Sequence, residues 1–120
     1  MADFPSTVAP GSARVRLAAL ALEAARAVDG VLAADAGPAA THVTVSGATT
    51  VLGVLVVAEP GGRYSIDLGL QARLVPLGAL ADAVRASVVR SITRAGLAEL
   101  VGAVGVTFHD VAAPGVVMGP

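Results

Sequence analysis

From Tyr64 to Leu74 apolar and polar positions alternate almost without a break. Tyr64, Ile66, Leu68, Leu70, Ala72 and Leu74 fall on one side, and Ser65, Asp67, Gly69, Gln71 and Arg73 on the other. Period two is the signature of a strand with one face against a core. The same alternation returns near the end of the chain, where Val104, Val106 and Phe108 face inward and Thr107 and His109 outward. It also marks Thr41 to Ser46, with Val43 and Val45 opposed to His42 and Thr44. Thr50 to Ala58 is nearly all apolar and reads as one strand, central or packed on both sides, closed by the turn signal Glu59-Pro60-Gly61-Gly62.

Two stretches carry helical spacing instead. Ser12 can cap a helix from Ala13 to Val28, whose apolar side is Leu17, Leu20, Ala21, Ala24 and Val28 and whose polar stripe is Arg16, Glu23 and Arg26. Asp29-Gly30 stops it, and Val31 to Ala34 is a brief extended piece. Pro76 suits the first position of a second helix with Leu77, Leu80, Ala81, Val84, Val88 and Ile92 along one stripe, closed by Gly96. The resulting order is α-β-β-β-α-β. It predicts an α+β fold, a small mostly antiparallel sheet with two helices on one face. Residues 12–111 form the domain, with flexible segments expected at 1–11 and 112–120.

Composition narrows the chemistry. The chain has 120 residues, 55% hydrophobic and only 14% charged, which is enough for one domain with a core of small aliphatic side chains. Net charge is −1, all eight basic residues are arginines, and they are scattered. No cluster fit to neutralise several phosphates is present, so nucleic-acid binding is not expected. The absence of cysteine excludes disulfides and thiolate chemistry. The uncharged run from Ala36 to Ala58 contains Pro38, His42, Ser46 and four threonines, so it reads as strands rather than a membrane span. Met1 to Ser12 holds Asp3 and no basic residue. No secretion signal is therefore expected, and a cytoplasmic location is.

Candidate motifs are sparse. His109-Asp110 could be half of a metal-binding pair, but the one other histidine is His42; metal and cofactors are not expected. Gly102-Ala103-Val104-Gly105 has the spacing of the backbone-clamping loop of K-homology RNA modules. Those loops join helices, whereas these glycines fall just before a strand. No nucleophile elbow or phosphate-cradling loop followed by lysine is present, and no catalytic residue is expected. Two surfaces are candidates for a partner. One is the polar sheet face with Asp67, Arg73 and His109, which Gln71, Thr107, His42 and Thr44 join if the strands are neighbours. The other is the second helix with Arg85, Arg90 and Arg94.

Taken together these features resemble the alkaline shock protein family of bacterial envelope-stress proteins. The features are an Ala-rich helix, Ala18 to Ala27, with Gly30-Val31; a strand Tyr64-Ser65-Ile66-Asp67-Leu68; and a helix from Pro76 to Arg94 closed by Gly96-Leu97. Last comes a strand from Val104 to Val111 containing Val106-Thr107-Phe108-His109-Asp110-Val111. The likeness spans about residues 12–111. The family often opens with a short strand, for which Thr7-Val8-Ala9 is the candidate here. The resemblance implies a non-enzymatic cytoplasmic protein of envelope homeostasis, without catalytic residues. It would self-associate and lie beneath the membrane through a membrane-anchored partner, without inserting itself. The alternative is a K-homology-like RNA-binding module; a ligand pocket between helices and sheet is a third.

Overall fold

The structure, a computed structural model, describes residues 10–112. In chain order it contains α1 (Pro10–Arg26), β1 (Val31–Ala34), β2 (Val43–Ser46), β3 (Thr49–Leu52), β4 (Val54–Ala58), β5 (Tyr64–Arg73), α2 (Leu77–Arg94) and β6 (Val101–Ala112), with a 3-10 turn at Ala98–Leu100. The fold is α+β, as the patterning predicts. The strand count is higher: Val31–Ala34 is a paired strand, and the expected single strand from Thr50 to Ala58 is two.

Gly53 makes that division. Its φ is +92°, a conformation side chains rarely tolerate, and a Cβ there would stand 2.5 Å from the Cβ of Ala34. Burial follows the break. Val51 packs on the core and Leu52 is exposed, then Val54 and Val56 are fully buried. The in/out phase therefore slips by one residue at Leu52–Gly53, and β3 and β4 join different sheets. β3 forms a hairpin with β2, in which Val43 lies opposite Leu52 and Val45 opposite Thr50.

The main sheet is organised around β5. β4 and then β1 pair along one edge of it, both antiparallel, while β6 pairs along the other edge in parallel. The parallel partner needs a crossover, which α2 supplies. Both helices cover the inner face, where Leu17, Ala21 and Ala25 from α1 and Leu80, Val84, Val88 and Ile92 from α2 meet Ile66, Leu68, Leu70 and Ala72. The small alanines let α1 approach closely, as expected of a core without large rings. Val104, Val106 and Phe108 of β6 complete it from the side.

Several boundaries differ from the sequence expectation. α1 starts at Pro10, so Ser12 lies within the helix rather than capping it. Pro76 is the N-cap of α2, one position before the helix proper. At its other end the Gly96 amide donates to the Thr93 carbonyl and the Leu97 amide to that of Ile92, the paired closure of a left-handed stop. Leu74, expected inward, is 63% exposed because β5 ends at Arg73. Gly102 to Gly105 lie inside β6, not ahead of it. Thr7-Val8-Ala9 and the segments 1–9 and 113–120 lie outside the described residues.

Candidate functional site: a histidine pair on the outer sheet face

With both helices on the inner face, the polar residues of β5 line the other side. Asp67 is matched with Gly105 of β6, Gly69 with Thr107, and Gln71 with Asp110. Between the last two pairs the register slips, because His109 is an extra residue opposite the Leu70–Gln71 step. Such a bulge re-aims the side chain it inserts.

The segment 35–42, between β1 and β2, folds over this face. It is tied down at its start by the Asp35 amide, which donates to the Gly69 carbonyl at 2.8 Å. The Asp35 carboxylate accepts from the Gly37 amide at 2.8 Å with one oxygen and from the Gln71 side chain at 2.9 Å with the other. The Gln71 and Gly37 bonds, in that order, hold its pKa below the ordinary carboxyl value. At the far end of the segment the His42 amide donates to the Ala36 carbonyl. Its ring then lies over Gly69, where a Cβ would come within 2.7 Å of His42 Cγ and collide with the Asp35 carbonyl oxygen. Only glycine leaves that room.

His42 is 9% exposed. Its Nδ1 stands 2.8 Å from Nε2 of His109, and the rings meet edge to face with centroids 4.8 Å apart. The His109 ring also rests against Gly37, where an added Cβ would stand 2.9 Å from Cε1 and Nε2. Burial, and after it the neighbouring His109, lower the His42 pKa from the ordinary 6.5, while Asp67 and Asp35 pull it upward. The hydrogen bond uses one N–H and one bare nitrogen, so at least one ring of the pair is neutral.

The six candidate partner residues lie in the two places the sequence assigns them to, the outer sheet side and the second helix. Asp67 and His109 share the outer sheet face. Arg73, at the end of β5, is drawn to Asp29 in a 3.0 Å ion pair. Arg85, Arg90 and Arg94 belong to α2 in the helical layer, and Arg85 is paired with Asp82. Asp35 is the residue that sequence reasoning missed. Its signal was local: an aspartate two positions before Gly37 in a Gly-Pro turn, the arrangement in which a carboxylate bonds the backbone ahead of it.

Concavities occur elsewhere. An apolar cleft of about 150 Å³ runs between α2 and the start of β6, lined by Val89, Ile92, Thr93, Ala98, Val101 and Gly102. A shallower depression separates α1 from β3 beside Leu22, Glu23, Arg26 and Val51. Among the described residues no group of three histidine, aspartate or glutamate side chains is arranged to hold a metal ion, and no helix is long and apolar enough to cross a membrane. No family model, characterised protein or solved structure matches the chain, so the likeness to the alkaline shock family rests on the motifs themselves.

Proposed function

We propose that this chain is a non-enzymatic assembly module of the cell-envelope stress response, associating with further copies of itself and docking on a membrane-associated partner. The partner and the envelope setting come from the alkaline shock resemblance. The observation that carries self-association is the outward face of the β2–β3 hairpin. There Val45 is 51% and Leu52 58% exposed, and Val43 sits directly across from Leu52. Three aliphatic side chains side by side on a two-stranded ribbon gain most by covering one another with a second apolar surface. The charge balance favours another copy as that surface: at −1 and 14% charged residues, two copies repel weakly. The RNA reading has no comparable support, because the glycines on which it depends are strand residues of β6. Sedimentation velocity over a concentration series tests the proposal. A dimer or larger species is expected, and Leu52→Glu, at a site with little burial to lose, is expected to convert it to monomer. A strictly monomeric wild type across the series overturns it.

A further inference from the structure

The histidine pair joins two parts of the chain far apart in sequence, the segment 35–42 and β6. The segment 35–42 is bonded to β5 through Asp35 at one end, while its other end reaches β6 through the His42–His109 hydrogen bond. The contact falls at the bulge, where the β5–β6 ladder skips a residue, so parting the rings breaks no regular ladder bond. We propose that His42 and His109 form a proton-operated latch, closed at neutral pH and opened in acid, which releases the 35–42 segment from β6 and uncovers the outer face of β5 around Gly69.

A neutral pair keeps the bond, and so does a pair carrying one extra proton, since one ring still offers a bare nitrogen. A second proton places an N–H against an N–H, 2.8 Å apart, with two positive charges behind them. The groups facing His42 are His109 from β6, Asp67 and Gln71 from β5 and Asp35 from its own segment. Asp67 and Asp35 favour a charged His42 through their field, but among the described residues neither carboxylate is hydrogen-bonded to either ring, so neither ties the doubly charged pair together. Both Asp35 oxygens already accept bonds from Gly37 and Gln71, and Asp67 leans against Gly105. Burial adds to the penalty, and it acts on His42 in the same direction. Separation of the rings into water is the available relief.

Two readings on the full-length, ¹⁵N-labelled chain test the latch: ring nitrogen shifts, which count protons on the two imidazoles, and amide hydrogen-exchange protection. Both are followed from about pH 8 to about pH 4.5, spanning the ordinary histidine range. The Ala40, His42 and Gly53 amides report on the segment, and the Val88 amide, inside α2 at a fully buried position, on the whole fold. Protection at the first three is expected to fall about tenfold for each pH unit below the second protonation, with Val88 unchanged. In His109→Gln, which keeps a bonding side chain without the charge, that fall is expected to disappear. Protection that stays level through the second protonation, or the same fall in His109→Gln, overturns the proposal. So does a fall shared by Val88, which would mean general unfolding. Should His109→Gln not fold, the wild-type comparison of ring shifts with protection still decides.

Discussion

Thr44 offers the sharpest test of how the two sheets are joined. It is 1% exposed, and its hydroxyl donates to the Val54 carbonyl at 2.7 Å while accepting from the Val56 amide at 3.0 Å. One side chain of β2 thereby closes the edge of β4 that no strand of its own sheet covers. Thr44→Val keeps the shape and removes both bonds. Two buried backbone groups are then unpaired at about 1–3 kcal/mol each, offset by about 0.8 kcal/mol for the extra buried methyl, for a net loss of about 1–5 kcal/mol, centred near about 3. At about 4 °C per kcal/mol the central value lowers Tm by about 12 °C. Thr44→Ser keeps the hydroxyl and drops a methyl, at a cost of about 1 kcal/mol. Urea unfolding followed by circular dichroism, at one fixed protein concentration, should rank wild type above Thr44→Ser and Thr44→Ser well above Thr44→Val. A Thr44→Val protein as stable as Thr44→Ser would show that the paired hydroxyl contributes nothing net, and the reasoning would fail.

Other outcomes follow from burial and charge. Leu68→Ala, at a fully buried site, is expected to cost about 2–5 kcal/mol in the same unfolding assay. Leu74→Ala, at a site 63% exposed, should change stability by less than about 0.5 kcal/mol although both leucines share one alternating pattern. Gly69→Ala forces a methyl against His42 and the Asp35 carbonyl and should destabilise by about 1–3 kcal/mol, with altered ring shifts for both histidines. Stability should also fall in acid in two stages. The His42 pKa is lower in the folded chain than its ordinary 6.5, so the folded chain holds fewer protons. Its contribution is complete above 6.5 and shrinks as pH falls from there toward the folded value. Asp35, likewise lowered from 3.8, gives a contribution present above 3.8 that is lost as pH drops through its folded value. Urea midpoints across pH should show the first stage in wild type and not in His42→Gln.

What could be read in the sequence was whatever has a local period. The alternation of β5, the α2 stripe from Leu80 to Ile92 and the stop at Gly96 are all set within a few residues, and the structure carries them. The break at Gly53 was written in the chain but hidden by its neighbours. A glycine amid Val51, Leu52, Val54 and Leu55 leaves the run apolar, and hydropathy alone does not reveal a change of phase. Leu74 was misplaced because alternation continues in the sequence after the ladder has ended. The histidine pair depends on topology: its members are 67 residues apart, and they meet because α2 returns β6 parallel to β5 and a bulge turns His109 toward a segment folded over Gly69. Asp35 belongs to the same class, since its bond to Gln71 exists only once β1 has paired with β5.

Because the chain contains no cysteine, a single introduced thiol reports on one site alone. Leu52→Cys places it on the hairpin face, and Arg90→Cys places it on the exposed side of α2. The measurement is the yield of covalent dimer with a short bis-maleimide at a concentration where wild type is associated. Efficient crosslinking of Leu52→Cys with little from Arg90→Cys is the expected result. Equal yields from the two positions, or crosslinking through Arg90→Cys alone, would contradict assembly through the β2–β3 hairpin.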